Sequence, residues 1–394
     1  MTFRDNQREP VSATFKSFFI AGFECSTHRL RNGKRLDVLA ATQHDKFAHL
    51  DFERLRKHNM HTIRTGVRWH LIETTPYRYD FSSLLPYIDA VREHGMQPIW
   101  DLCHYGYPDD IDIFAPEFVR RFTRFAKATA QVIAQEIDQV PFFCPINEIS
   151  YWAWAAGDGG YLNPYASNRS FELKQQLVRA SISAIDAIRE VIPTARFTSI
   201  DPIVHLIAAP DRPHEREIAD GYRWAQYQAW DMLCGRLSPE LGGKPEYLDL
   251  IGVNFYANNE WIYEGSILTR EHPDYRLFRH LAREIYERYR RPIFIAETGI
   301  EGDERTDWLS YMVDETIAVL EENIPLEGLC LYPILCYPGW EDDRYCPSGL
   351  WDYASSQGER TIYEPLATTL AEQQQRVQAV LSRKKLDAAQ SLPC

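Results

Sequence analysis

The stretch PFFCPINEISYW, residues 141–152, begins as an apolar strand and ends in polar residues. Phe142, Phe143 and Ile146 have the pattern of a buried strand, and Asn147 and Glu148 close it. Carboxylates are almost never fully buried without a partner, so a glutamate at this position calls for one.

The same unit, an apolar strand followed by an amphipathic helix, recurs along the whole chain. In one helix Val178, Ile182, Ile185 and Ile188 recur every three or four residues and form one apolar stripe. The predicted strands are 18–23, 61–67, 96–103, 142–148, 195–201, 248–256, 292–298 and 326–334. The predicted helices are 44–59, 81–95, 116–137, 171–191, 220–235, 274–290, 305–324 and 361–383.

Eight strand–helix alternations are typical of an α/β protein with a closed parallel barrel, the (β/α)8 TIM barrel. The alternative is a doubly wound open sheet, but no glycine-rich phosphate turn follows an early strand. We expect one barrel domain over residues 1–384 and a flexible tail over 385–394. Two long links, 149–170 and 335–360, follow the carboxyl ends of strands, where barrel enzymes build their sites.

Composition excludes several classes of function. The 394 residues carry a formal net charge of -13, which argues against partners that need a basic surface, namely nucleic acid and anionic membranes. The amino terminus lacks the apolar core of a signal peptide, and no segment approaches the roughly 18 apolar residues of a membrane helix. The eight cysteines are scattered without a C-x-x-C pair, so reduced thiols are expected rather than a metal site. We expect a cytoplasmic protein.

In a barrel, the carboxyl ends of all eight strands open into one shared mouth, which brings Glu148 and Glu297 together. Two facing carboxyl groups suit glycoside hydrolysis, in which one protonates the departing oxygen and the other attacks the anomeric carbon. Arg64 and Tyr256 would each stabilise Glu297 as an anion, which suits the nucleophile. Glu148 lies among apolar residues and would keep its proton more readily, which suits the acid.

Other polar and aromatic residues at the strand ends suit a sugar ligand. Asn147 would donate to a sugar hydroxyl beside the reacting carbon, and His104 to another. The faces of Trp69, Trp261 and Trp340 would stack on a sugar ring, although tryptophans of this kind also serve as core packing.

At these positions the sequence resembles glycoside hydrolase family 1, a family of (β/α)8 enzymes, across most of residues 18–355. IRTGVRW (63–69) is similar to the family's R-x-S-I-x-W, and DLCHYGYPDD (101–110) to its L-x-H-W-D-x-P. INE (146–148), IGVNFY (251–256), FIAETG (294–299) and SGLWDY (348–353) are similar to further family motifs. The first five of these motifs lie in order at predicted strand ends and together are a specific signal.

The resemblance implies a role for each matched residue. Glu148 would be the acid/base and Glu297 the nucleophile, positioned by Arg64 and Tyr256. It further implies that His104 and Asn147 hold a saccharide in the innermost subsite. A β-glycosidase of this type retains stereochemistry and uses no metal or organic cofactor.

The chain departs from the family pattern where family members clasp the hydroxyls far from the reacting carbon. Arg29 or His28 stands in roughly the place of the first strand's Gln. After the last strand, YPILCYPGWEDD (332–343) replaces W-S-L-x-D-N-x-E-W and keeps Trp340 and Glu341 as candidate sugar contacts. The reaction type therefore transfers better than the sugar. A transglycosylase with the same two glutamates and a non-catalytic sugar-binding barrel remain alternatives.

Overall fold

The computed structural model describes residues 14–390. Eight parallel strands close into a barrel in which each strand pairs with its neighbours in the chain and the last strand pairs with the first. The predicted (β/α)8 fold is thus confirmed. In chain order the barrel strands are Phe19–Gly22, Thr62–Gly66, Gln97–Asp101, Phe142–Cys144, Arg196–Pro202, Leu250–Asn254, Ile293–Thr298 and Leu326–Leu331.

The helices surround the barrel and pack their apolar stripes onto it. In chain order they are Val38–Ala41, His44–Lys57, Trp69–Ile72, Leu85–His94, Pro116–Glu136, Ile149–Gly157, Ser170–Arg189, Arg216–Ala225, Gln228–Leu233, Phe278–Tyr289, Arg305–Glu321 and Glu364–Gln390. Short strand pairs outside the barrel join His205–Ile207 to Glu260–Ile262, Tyr337–Pro338 to Tyr345–Cys346, and Trp351–Ala354 to Arg360–Ile362.

Three predictions around the carboxyl ends of the barrel strands differ from the structure. The fourth strand ends at Cys144 rather than 148, because Pro145 has no N–H to donate to the ladder. The predicted link at 149–170 contains the helix Ile149–Gly157. The predicted link at 335–360 contains the strand pair Tyr337–Pro338 with Tyr345–Cys346, and most of the pair Trp351–Ala354 with Arg360–Ile362.

The amino-terminal end of the barrel is closed by Phe15. Its ring centroid lies 5.1 Å from that of Phe142 and 5.4 Å from that of Phe294. All three residues belong to the inner core, together with Ile20, Ile99 and other buried residues of the strands. The interior of this end is packed with apolar side chains, whereas Glu297 lies near the carboxyl end of its strand, at the end of the barrel that we call the mouth.

The last helix extends to Gln390, so the predicted domain boundary at residue 384 falls inside it and residues 385–390 are helical. Apolar residues such as Leu370 and Val377 are buried along this helix. Residues 391–394, including Cys394, and the amino-terminal stretch used to argue against a signal peptide lie outside the described residues. Within residues 14–390, no helix combines the length and apolar character needed to cross a membrane.

Candidate active site

Arg64, in the second barrel strand, lies at the centre of the polar network of the mouth. Its side chain is fully buried, and each of its five N–H groups has an acceptor. Nη1 donates to Glu297 Oε1 at 2.7 Å and to the carbonyl oxygen of Ala296 at 3.1 Å. Nη2 donates to Asp101 Oδ2 at 2.7 Å and to Asn147 Oδ1 at 2.6 Å, and Nε donates to Asp101 Oδ1 at 3.1 Å. The guanidinium is therefore held in one orientation.

Glu297, in the seventh barrel strand, is paired through both carboxylate oxygens. Oε1 accepts from Arg64, and Oε2 accepts from the hydroxyl of Tyr256 at 2.8 Å. The structure thus brings together the three residues that the sequence predicted to be in contact. Both oxygens of this carboxyl group therefore accept a hydrogen bond, one of them from a charged donor.

Glu148 follows the fourth strand and begins the helix Ile149–Gly157. Among the described residues, the donors to its carboxylate are both neutral: Asn254 Nδ2 donates to Oε1 at 2.7 Å, and the hydroxyl of Tyr105 donates to Oε2. Burial, followed by the negative charge of Glu297, raises the pKa of Glu148 to about 8. The two glutamates therefore differ in their surroundings: Glu297 pairs with the cation Arg64, whereas Glu148 accepts from an amide and a phenol.

Tyr105 and Asn254 were expected at strand ends that face the mouth but were assigned no role, and both contact Glu148. Tyr105 and Glu148 each have a left-handed backbone, with φ of 65° and 48°. Such conformations are uncommon outside glycine and concentrate at functional sites. Asn254 ends the sixth strand. The motif IGVNFY could have identified it, because Tyr256 was predicted from the same motif.

His104 and Asn147 are in contact with each other, and Asn147 also contacts Arg64. Because Arg64 donates to Asn147 Oδ1, the amide NH2 of Asn147 faces His104 Nε2, at 3.1 Å, and that ring nitrogen must accept. His104 Nδ1 then donates to Asp101 Oδ2 at 2.9 Å. Burial alone would raise the pKa of Asp101, but the charges and hydrogen bonds of Arg64 and His104 together bring it below its usual range. Asp101 was not predicted; it is the buried anion that holds both cation and imidazole in place.

Trp340 lies against His28 and Tyr105, with ring centroids 5.0 and 5.9 Å away. Burial lowers the pKa of His28 to about 3, so its imidazole is neutral. Within the part of the chain that the structure describes, His28 Nδ1 and Trp340 Nε1 are both buried and have no hydrogen-bond partner. Such atoms are costly unless a ligand or water supplies the missing partner.

Two predicted sugar contacts lie at the surface instead. Arg29 forms an ion pair with Asp109, and its Nη1 donates to the carbonyl oxygen of Gly33 at 2.5 Å. Glu341 is exposed, and its charge contributes to raising the pKa of Tyr165, after burial and against Arg31. Of the two candidates named for the first strand's missing Gln, His28 is the one that contacts Trp340.

The other two tryptophans differ from Trp340 in their surroundings. Trp69 is fully buried, donates to Glu73 Oε2 at 2.7 Å and stacks on Phe125 with centroids 5.2 Å apart. It is therefore a core residue rather than a sugar platform. Trp261 lies in the short strand Glu260–Ile262, outside the barrel sheet.

Asp201, at the end of the fifth strand, supports the backbone next to Glu148. Its Oδ1 accepts from the N–H of Ser150 at 2.8 Å and of Tyr151 at 3.4 Å, which caps the helix Ile149–Gly157. Burial raises the pKa of Asp201 to about 7, against the opposing charge of the buried Lys174. The first turn of the helix that follows the acid candidate is thus tied to a neighbouring strand.

Comparison with known proteins supports the fold. No protein-family model matches the sequence, and neither does any curated protein. Among solved structures, a beta-glucosidase from Thermotoga maritima in complex with glucoimidazole has a TM-score of 0.76 at 16% identity, covering 92% of this chain and 99% of that chain. A structure described as a family 1 beta-glucosidase from the same organism has a TM-score of 0.72 at 16% identity over 90% and 96% of the chains. At this identity the likeness establishes the fold.

Proposed function

We propose that the protein is a divergent member of glycoside hydrolase family 1 that hydrolyses a β-linked glycoside with retention of stereochemistry. One observation carries the proposal: Glu297 is held by Arg64 and Tyr256, whereas Glu148 accepts from the neutral groups of Asn254 and Tyr105 and has a pKa raised to about 8. Two carboxyl groups of opposite protonation are what double displacement requires. The ordered sequence motifs and the fold shared with beta-glucosidases support the same reaction.

In the first step Glu297 attacks the anomeric carbon and forms a glycosyl ester, while the bond to the aglycone oxygen breaks. The proton of Glu148 goes to that oxygen, so the leaving group departs as a neutral alcohol or phenol. Esterification removes the negative charge of Glu297, which is one of the two main causes of the raised pKa of Glu148. Glu148 then becomes a stronger acid, and its carboxylate is available as a base.

In the second step Glu148 takes a proton from water, and the water oxygen attacks the anomeric carbon. The ester bond to Glu297 breaks, and its carboxylate returns to Arg64 and Tyr256. This restores the charge that raises the pKa of Glu148, so both groups end in their starting protonation states.

We propose that the sugar is recognised by groups beside the two glutamates. His104 and Asn147 would exchange their mutual hydrogen bond for sugar hydroxyls, and Trp340 and His28 would gain the partners that their ring nitrogens lack. Arg29 and Glu341 would reach only the outer part of a ligand from their surface positions. The ligand would be a saccharide without negative charge, because Asp101 and Glu297 already share the single cation Arg64.

Trapping the covalent intermediate tests the proposal. The protein is incubated with a panel of 2-deoxy-2-fluoro β-glycosides bearing an activated leaving group, and its mass is measured before and after peptide mapping. We expect an adduct on Glu297 that is lost in Glu297→Ala and kept in Glu301→Ala, whose carboxylate pairs with Arg344. No adduct and no turnover of any β-glycoside, with sugar binding unchanged by both glutamate substitutions, would leave only a binding barrel.

The acid/base role has a separate test. Glu148→Ala should be restored by azide with an activated aryl glycoside and yield the β-glycosyl azide, because the small anion replaces water without needing a base. Unaltered activity in Glu148→Ala would rule out that role. Analysis of the products of the parent protein distinguishes hydrolysis from transfer to an added alcohol, which is the transglycosylase alternative.

A further inference from the structure

A further buried glutamate, Glu24, lies at the mouth two residues after the first barrel strand and is 8% exposed. Side chains alternate between the two faces of a strand, so every second residue points the same way. Ile20 belongs to the inner core of the barrel, whereas Phe19 and Phe23 belong to the outer core. The N–H of Phe23 still donates to the carbonyl oxygen of Arg64 at 2.9 Å, so strand pairing continues up to Glu24. Glu24 therefore points inward, as Ile20 does.

The neighbours of Glu24 are residues that follow the last barrel strand. After burial, the negative charge of Glu24 is the main cause of the raised pKa of Tyr332 and of Tyr337. The ring of Tyr332 fits beside the first strand because residue 22 is glycine, and a Cβ there would overlap that ring. The ring of Tyr332 also lies parallel to that of His104, with centroids 6.2 Å apart. Glu24 thus borders the same space as the proposed sugar-binding residues.

The carboxylate of Glu24 forms no ion pair with any residue in 14–390. The hydrogen bonds that it accepts there come from the N–H and the Oγ of Ser26, and both go to Oε1. No described residue donates to the other oxygen, Oε2. The N–H groups of Arg64 all have other acceptors, and both ring nitrogens of His104 have other partners. A buried carboxylate without a counter-charge is costly unless a ligand supplies one.

The location of Glu24 shows which part of a glycoside it would meet. The leaving oxygen lies at Glu148, which follows the fourth strand, three strands away from the first around the barrel. Beside Glu24, the hydroxyl of Tyr332 is buried and has no hydrogen-bond partner among the described residues, as is also true of His28 Nδ1 and Trp340 Nε1. Glu24 and these unpaired atoms therefore face the sugar rather than the leaving group.

We infer that Glu24 determines specificity by binding an ammonium group on the sugar, so that the preferred substrates are β-glycosides of amino sugars. This inference rests on the proposed glycosidase function and names its substrate class. An ammonium group supplies both the donor and the positive charge that Oε2 lacks, whereas a hydroxyl supplies only the donor. The only arginine paired at the mouth, Arg64, is already shared by Asp101 and Glu297, which leaves Glu24 to a cation from the ligand.

The test uses 4-nitrophenyl β-glycosides in which one sugar hydroxyl at a time is replaced by an amine, at a pH where the amine is protonated. Their intrinsic reactivity is the same for every variant, so a change in the amine-to-hydroxyl ratio of kcat/KM reports the protein contact. We expect the parent protein to favour one amine, and Glu24→Gln to lower that ratio about tenfold or more. The amide oxygen of the variant can still accept from Ser26.

Glu260→Gln is the matched control. Glu260 is 1% exposed and accepts the N–H of Arg276 at 2.8 Å, but it lies in the short strand outside the barrel sheet. This variant makes the same chemical change to a buried carboxylate and should keep the parent ratio.

Two outcomes would overturn the inference. One is an amine-to-hydroxyl ratio that Glu24→Gln leaves unchanged. The other is a parent protein that accepts each amine no better than its N-acetylated form, a measurement that requires no variant. Hydrolysis of the hydroxyl glycosides would then leave the proposed function standing.

If no β-glycoside is hydrolysed, the proposed function fails, and calorimetry with the free amino sugars decides the ligand class separately. Binding that Glu24→Gln abolishes would support the ammonium site. Binding no tighter than that of the corresponding neutral sugars would overturn it.

Discussion

Arg64 donates to Glu297 at 2.7 Å, and the described residues place no comparable cation on Glu148. The positive charge of Arg64 thus lies on Glu297 and not on Glu148. Since a neighbouring cation favours the ionised form of a carboxyl group, this contact assigns the two roles more directly than the position of either residue in the sequence.

Replacing Arg64 by lysine should impair both activity and stability. A lysine has a single ammonium group and leaves acceptors on Asp101 or Asn147 without donors. We expect kcat/KM to fall on the order of 100-fold or more, since a fixed donor of this kind contributes about that much. Arg360→Lys is the matched control, because Arg360 is equally buried and donates to Asp51 at 2.7 Å. It should lower the free energy of unfolding similarly and leave kcat/KM nearly unchanged; equal activity losses would contradict the assignment.

Glu148→Gln should stabilise the protein, and increasingly so as the pH rises. The pKa of Glu148 is raised to about 8 by burial and then by Glu297. The unfolded chain therefore releases the proton at lower pH than the folded chain, so ionisation disfavours folding between these two pKa values. We expect the difference in unfolding free energy between variant and parent to grow by roughly 3 kcal/mol from pH 5 to pH 8. Urea denaturation at both pH values measures it, and a constant difference would contradict the raised pKa.

Tyr105→Phe should move the alkaline limb of the pH–activity profile to higher pH. Burial and the charge of Glu297 raise the pKa of Glu148, and the hydroxyl of Tyr105 partly opposes them by donating to the carboxylate. Its removal raises that pKa further, so Glu148 stays protonated over a wider range. Measurement of kcat/KM from pH 6 to pH 10 follows the limb. Tyr107→Phe is the control, since the hydroxyl of Tyr107 accepts from Asn163 at 2.5 Å; a shift in that variant, or none in Tyr105→Phe, would contradict the prediction.

Asp201→Ala should selectively impair substrates that need protonation. Asp201 caps the helix that begins at Glu148, so we regard it as a positioning residue for the acid. We expect a larger loss of kcat/KM for alkyl than for activated aryl glycosides, with restoration in Asp201→Asn, whose amide oxygen can still accept. Asp80→Ala removes a comparable cap on Ser82 and should cost about 1 kcal/mol of stability without that selectivity. Equal losses for both substrate types would indicate a purely structural role.

Much of this arrangement follows from local sequence patterns. Apolar runs located every barrel strand, because a strand buried on both faces has few polar positions. The glutamates were found because they follow such runs, and Arg64 and Tyr256 because they share motifs with strand ends. The helix Ile149–Gly157 was missed: its cap, Asp201, lies in another strand 51 residues away along the chain.

The remaining contacts depend on distances that no local pattern encodes. Asn254 reaches Glu148 across 106 residues of sequence, and Tyr105 reaches it through a left-handed backbone. Arg29 was expected at the sugar, but Asp109 lies 80 residues away in sequence and binds it at the surface. Adjacent positions such as His28 and Arg29 point to different environments, and the sequence alone did not choose between them.

Because all five N–H groups of Arg64 are hydrogen-bonded, its guanidinium is already oriented before the reaction begins. Its guanidinium is oriented by Asp101, Asn147 and the seventh strand when the chain folds, before any substrate arrives. As Glu297 loses its charge to the anomeric carbon, the surrounding dipoles have little further rotation to make. In water, solvent dipoles would have to reorient in every turnover. Here the donors are oriented once, when the barrel folds.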